Sequence, residues 1–327
     1  MILGSKVLIT GGAGFVGSRL AREILKFGEI SGSPIQELVL TDLRAPSSNL
    51  TADSRVKTLL GTLIELSREL GSMKFDLVFH LAGAVSAECE ADFDLGMRSN
   101  LHSTLALLES LRSAGNVPRV VYSSSLAVFG PDPGVPMPST VSDDTLPTPQ
   151  SSYGIQKLIG EQLIADYTRK GFIDGRSVRP NTVVVRPGRP NGAASGFMSS
   201  IIREPLNGLP TVCPVAPETR VALGSTKGTI AALIKVAEAS REEFGGRTAI
   251  NLPSLTVSIG EMLDALEAVG GKAARDLVRF ERDPAIVRLV DSWPAAVHAP
   301  RAARLGILPD MDFITIVRDY VADPSAG

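Results

Sequence analysis

Short β-branched runs alternate with longer stretches of helical spacing through the first half of the chain. KVLIT (6–10), ELVLTD (37–42), DLVFHLA (76–82) and RVVYSSS (119–125) are apolar nearly throughout, as strands covered on both faces of a parallel sheet must be. Between them, SRLAREILKFG (18–28) and NLHSTLALLESLRSAG (100–115) carry apolar residues at helical spacing and end on a glycine where a C-cap belongs. Strand, helix and strand in this order predict βαβ units and an α/β fold with a doubly wound parallel sheet.

The pattern changes after residue 150. PQSSYGIQK opens a helix that stacks Tyr153 above Lys157 on one face. RSVRPNTVVVRPG (176–188) predicts one long strand running into a Gly/Ala/Ser/Pro loop, RPNGAASG (189–196). GTIAALIKVAEASREEF (228–244) predicts one more sheet-covering helix. SIGEMLDALEAVGG begins on a capping box, Ser258 with Glu261, and closes on Gly270 and Gly271. The expected division is a Rossmann-type domain over 1–188 plus 222–252 and a smaller, interleaved substrate lobe over 189–221 plus 253–327.

Composition removes several function classes. A hydrophobic content of 44% and a net charge of −2 describe a globular chain with no basic surface for nucleic acid or an acidic membrane. Cys89 and Cys213 are too few for a disulfide framework and read as buried small residues. His80, His102 and His298 are scattered and form no ligand set, so no metal is expected. Met1 leads directly into an apolar strand, and no apolar run is long enough to span a bilayer, so a cytoplasmic protein is expected.

Chemistry enters at the strand ends. VLITGGAGFVG places Gly11, Gly14 and Gly17 in the turn from the first strand to the first helix, where backbone can approach a pyrophosphate at a helix N-terminus. Asp42, closing the second strand, would bond the 2′-hydroxyl of an adenosine ribose and repel a 2′-phosphate, which favours NAD, although Arg44 lies two residues on. HLAG (80–83) and SSSLAVFG (123–130) bring small and hydroxylic residues to further strand ends, the edge on which ligands lie in such sheets.

With TGGAGFVG, Asp42, HLAG, Asn100 in SNLHST, SSSLAVFG and YGIQK in this order over roughly the first 190 residues, the chain resembles the extended short-chain dehydrogenases/reductases, a family that includes sugar-nucleotide epimerases and dehydratases. The resemblance implies Ser125, Tyr153 and Lys157 as a catalytic triad, with Asn100 on a water-linked proton path beside Lys157. It implies NAD contacts from Gly11, Gly14, Phe15, Val16 and Gly17, from Asp42 and Leu63, from Leu81, Ala82 and Gly83, and from Asn100, Tyr153, Lys157 and Pro187. It also implies a homodimer paired through helices around 100–114 and 152–169. A free tyrosine has a pKa of ~10, and a lysine ammonium and a positive nicotinamide beside it both favour the phenolate, so that Tyr153 can serve as a general base.

Which reaction follows depends on what is missing. The dehydratases of the family carry an acidic pair directly after the catalytic hydroxyl, where this chain has Leu126 and Ala127. The acids that help epimerases hold a nucleotide diphosphate are absent from TRVALGSTKGT (219–229), which keeps Arg220, and Arg189 in VRPGRPNG replaces the family's substrate-facing asparagine. ADFDLGMRSN, VRPGRPNGAASGF, IIREPLNG and DSWPAAVHAPRAARLG resemble a narrower subgroup that oxidises the four-carbon sugar acid D-erythronate at C2 with NAD. A nucleotide-sugar 4-epimerase and a non-catalytic dinucleotide sensor are the alternatives. For a sugar-acid substrate, Ser125 and Tyr153 would hold the reacting oxygen. Arg189 or Arg220 would hold the carboxylate and Asn191 a hydroxyl, unless these three are structural.

Overall fold

The computed structural model describes residues 4–188 and 194–323. An eight-stranded sheet runs in the order Ile250–Asn251, Asp174–Arg179, Arg119–Ser123, Leu77–His80, Ser5–Thr10, Ser33–Asp42, with Val56–Leu60 pairing parallel to the last and a short antiparallel strand, Glu29–Ile30, at its start. The chain moves outward one way from Ser5–Thr10 and then returns to Leu77–His80 to build the other half. The topological switch point therefore lies between Thr10 and His80, which pair in register. Val56–Leu60 escapes the sequence pattern because VKTLL mixes polar and apolar positions at the sheet's margin.

Successive residues of each central strand serve opposite layers. Val7, Ile9, Leu40, Phe79 and Val121 join one core, under the helices Phe15–Phe27 and Thr226–Glu238. Leu8, Val39, Val78 and Val120 join the other, with Leu107 and Leu111 of the helix Ser103–Ala114. Each fully buried aliphatic contributes about 1.5–3 kcal/mol.

Three sequence expectations change here. The run 176–188 is two strands: Asp174–Arg179 stays in the main sheet, and Thr182–Val184 lies in a separate three-stranded sheet with Arg220–Ser225 and Leu255–Ser258. Pro180 lies at the break, and having no N–H it cannot continue a ladder. The single helix expected over 228–244 ends at Glu238, because Ser240 and Glu243 form a capping box that starts a new turn, Arg241–Phe244. The helix expected over 100–115 begins as a π-helix, Met97–His102, before continuing as Ser103–Ala114.

The three-stranded sheet, the helix Phe197–Leu206 and the helix Ile259–Arg275, which is broken at Gly271 (φ 79°) where the sequence placed its close, surround a second core that includes Val184, Ile201, Val221 and Met262. The chain then returns, and Ala299, Ala302 and Ile307 pack into the first core.

Candidate active site

The turn after Ser5–Thr10 and the first turn of the helix that follows each admit only glycine at one position. Gly11 sits at φ 71°, and a Cβ on Gly17 would lie 2.1 Å from the Gly11 carbonyl oxygen. The 13-residue helix Phe15–Phe27 therefore starts hard against the loop. Gly14 is its N-cap and makes no side-chain cap bond, leaving first-turn N–H groups for an anion. Asp42 is held beside this loop: its carboxylate accepts from Ala13 N at 3.0 Å and from Arg44 N at 3.2 Å. Arg44 meets Asp42 only through its backbone and is otherwise exposed. Thr10 fastens the neighbouring strand end, accepting from Leu81 N and Ala82 N at 3.2 Å each. A Cβ on Gly11 would meet Ala82 N at 3.0 Å. These residues form a bare-backbone cradle across the switch point, and a dinucleotide fits it. Phe15 and Val16 open the helix half-buried, Leu63 is buried behind the Val56–Leu60 strand, and Pro187 is half-buried past Thr182–Val184.

Tyr153 and Lys157 lie on the helix Ser152–Arg169, started by Ser151, whose Oγ accepts from Gly154 N at 3.1 Å. The helix presses onto the end of Arg119–Ser123: a Cβ on Gly154 would be 2.1 Å from Ala127 O, and one on Gly160 would be 2.2 Å from the Tyr122 hydroxyl. Lys157 Nζ donates to Ser123 O at 2.8 Å and stands 5.7 Å from the Tyr153 ring centre. Ser125 Oγ accepts from Ala127 N at 3.1 Å and lines the same cleft as Tyr153. Beneath them, Arg179 donates through Nε and Nη2 to the two oxygens of Glu161 at 2.8 and 2.7 Å, and Ser124 Oγ donates to Glu161 at 2.5 Å. This buried pair ties helix, strand and serine loop together.

Burial pushes the Tyr153 phenol above its ordinary value, with the nearby Ser125 hydroxyl and the Arg186 charge pulling the other way. Burial also brings the Lys157 ammonium down to about 8. His80, down to about 3 through burial and the nearby Lys157 charge, is neutral and bridges Thr10 Oγ1 at 2.7 Å and Thr104 Oγ1 at 2.9 Å. Asn100, buried in the π-helix, donates Nδ2 to Gln156 Oε1 at 2.8 Å. Cys89 and Cys213 are free and buried, as their sequence reading holds, but Cys89 also touches Asn100 Nδ2 at 3.2 Å.

A cleft of about 650 Å³ opens above this centre, lined by Ser125 and Tyr153 on one side and by Asn181, Thr182, Arg186, Val221 and Trp293 on the other. Arg186 is the functional candidate that sequence reasoning passed over. Its Nε donates to Val183 O at 3.0 Å, its backbone is fixed to Ser199 and Arg203, and among the described residues no carboxylate pairs with it. Arg220 reaches the same cleft, but its guanidinium turns to Thr256 O at 3.3 Å and to Glu261 at 3.8 Å, half exposed. Arg189 and Asn191 lie outside the described residues. The signal for Arg186 was its place immediately after the apolar run VVV, at a strand end.

The NAD dependent epimerase/dehydratase family model matches residues 7–248. The chain is 47% identical to a D-erythronate dehydrogenase of Cupriavidus necator over 97% of this chain and 98% of that one. It is 40% identical to a D-erythronate dehydrogenase of Haemophilus influenzae over the same shares. Among solved structures, a nucleoside-diphosphate-sugar epimerase from Agrobacterium tumefaciens superposes with a TM-score of 0.92 at 37% identity, covering 99% of this chain and 95% of that one. The chain belongs to the NAD-dependent epimerase/dehydratase family, that is, to the extended short-chain dehydrogenases/reductases.

Proposed function

We propose that the chain is an NAD-dependent dehydrogenase that oxidises the C2 hydroxyl of a four-carbon sugar acid, D-erythronate to 2-oxo-D-erythronate. The observation that carries this reading is Arg186, a buried-side arginine without a carboxylate partner among the described residues, which lines the same cleft as Ser125 and Tyr153. A small 2-hydroxy acid can set its carboxylate on that guanidinium and its C2 oxygen between Ser125 and Tyr153. The names of the two relatives at 47% and 40% identity point to the same substrate.

The cradle around Gly11, Gly14 and Gly17 would hold NAD, which when bound would supply the acceptor for the C2 hydride. Ser125 donates to the substrate oxygen and steadies the charge that builds there. Tyr153 takes the alcohol proton, and Lys157, held by Ser123 O, supports the phenolate through its charge. Because burial, with a smaller push from Cys89, holds Tyr153 above its ordinary value, the base depends on positive charge brought beside it. Asp42, bonded to the glycine loop, is proposed to select NAD over NADP. The chain is proposed to divide into a Rossmann domain over 1–188 plus 222–252 and a substrate lobe over 189–221 plus 253–327, tied to the first core through Ala299, Ala302 and Ile307. Leu105, Ile155 and Ile159, exposed on the helices Ser103–Ala114 and Ser152–Arg169, support a homodimer paired there.

A nucleotide-sugar epimerase is the second reading, favoured by the name of the structure at TM-score 0.92. Purified protein with NAD should form NADH with D-erythronate and none with UDP-glucose or UDP-galactose. Conversion between the two nucleotide sugars, with no C4 acid oxidised, would replace the proposal by the epimerase.

A further inference from the structure

Gln156 stands on the catalytic helix between Tyr153 and Lys157, is 1% exposed, and is not part of the cleft wall. Its Oε1 accepts from Asn100 Nδ2 at 2.8 Å, the shortest of three contacts to that nitrogen, the others being Ala84 O at 3.3 Å and Cys89 Sγ at 3.2 Å. Ala84 O, a backbone carbonyl that can only accept, favours the nitrogen at this end of the Asn100 amide at a longer 3.3 Å, so the closer Gln156 Oε1 is the main side-chain hold on it. Gly96 makes room for the glutamine: a Cβ there would meet Nε2 at 2.7 Å and Oε1 at 3.0 Å.

The consequence falls on the other end of the amide. Asn100 Oδ1 is buried without a partner among the described residues. A Cβ on Gly83 would lie 2.6 Å from this oxygen and 3.6 Å from Lys157 Nζ, so acceptor and ammonium look onto one small space that only the missing side chain keeps open. Lys157 Nζ uses one of its three protons on Ser123 O. The backbone oxygen of Asn100 accepts from Thr104 Oγ1 at 2.6 Å, whereas the buried side-chain oxygen has no partner among the described residues.

We propose that Gln156 is a positioning residue that holds the Asn100 amide nitrogen and so turns Oδ1 toward Lys157 across Gly83, where it accepts from the ammonium directly or through one water. A reversed amide would set N–H against N–H at that space. With Oδ1 in place the charged lysine is favoured, and the charged lysine favours the Tyr153 phenolate. The inference rests on the Ser125, Tyr153, Lys157 reading. The groups facing the pair are Tyr122, whose phenol burial raises well above its ordinary value; Cys89, whose thiol burial raises; neutral His80; Glu161, paired with Arg179; and the Arg186 cation.

Gln156→Met and Gln156→Leu keep volume and remove the acceptor. In either, the acid limb of the kcat/KM profile for oxidation should move up by roughly half to one pH unit, with KM for NAD within about twofold. In an Asn100→Ala background the same substitution should add no more than about twofold, since it acts through Asn100. An unmoved limb, or losses that multiply in the double variant, would overturn the proposal. A neutron map of the unaltered protein with NAD reads the orientation without any variant: deuterons of Nδ2 on Ala84 O and Gln156 Oε1 support it, and a deuteron directed at Lys157 refutes it. Tyr153→Phe run beside these separates the two readings. Retained turnover there removes the tyrosine base, whereas the map still decides what Gln156 holds.

Discussion

The two walls of the cleft are built on different principles. The dinucleotide wall and the catalytic helix rest on strand ends of the main sheet, on glycines that nothing else can replace, and on a bidentate Glu161–Arg179 pair under the serine loop. The opposite wall, the proposed substrate wall, comes from residues beyond the break at Pro180, from the three-stranded sheet and from Trp293, and its main charge, Arg186, donates to the backbone oxygen of Val183. The first wall makes the fold and the chemistry one problem. The second can change its substrate without disturbing either.

Breaking the first wall should therefore be felt in stability as well as in rate. Glu161→Ala leaves the buried Arg179 guanidinium uncompensated, and about 3–5 kcal/mol of unfolding free energy should disappear, read by chemical denaturation. Tyr153→Phe keeps the ring and removes the proposed proton acceptor, so turnover should fall by about 100-fold or more while NAD binding, followed by calorimetry, survives. Near-normal turnover in that variant would remove the base.

Lys157→Met separates function from folding within the same wall. The lysine sits at about 8 in the folded chain, below the 10.5 of an ordinary lysine. Between those values the unfolded chain binds the extra proton, so this group's contribution to stability rises with pH from about 8 to 10.5 and is unfavourable below that window. Removing it should cost turnover and yet raise stability near neutral pH. The gain is about 1–2 kcal/mol once the lost bond to Ser123 O is set against roughly 3 kcal/mol of burial penalty. The advantage over the unaltered chain should shrink as melts are repeated at rising pH below 10. An advantage that grows with pH would contradict the assignment.

Smaller effects sharpen cofactor choice. Asp42→Ala removes a carboxylate bonded to the glycine loop, and the ratio of kcat/KM for NAD over NADP should drop. A ratio that stays the same would show selection elsewhere.

What could be read from the chain follows the same division. Gly11, Gly17, Asp42, Tyr153 and Lys157 act through neighbours close in sequence or through the register of one sheet, and local pattern reports them. The paired cores were legible because alternate residues of each strand are apolar on both faces. The break at Pro180 was not read, because the apolar run resumes on its far side; Thr182–Val184 leaves the sheet for a partner strand some forty residues later. Arg186 was hidden with it, since its meeting with Tyr153 depends on where that second sheet sits. Arg220 was singled out from its motif, but its nearest partners, Thr256 and Glu261, lie on a strand and a helix that composition does not connect to it. Gln156 gave no signal at all, because a glutamine inside a helix is ordinary until its partner is known.

We propose that a C4 acid is held by Arg186 against the Ser125–Tyr153 pair. The most direct measurement is kcat/KM for D-erythronate in the unaltered protein, in Arg186→Met and in Arg220→Met. The unaltered protein should turn the acid over, Arg186→Met should lose roughly 30-fold or more, as for a desolvated charge pair, and Arg220→Met should stay within about threefold. No turnover of the acid by the unaltered protein, or the larger loss in Arg220→Met, would contradict it.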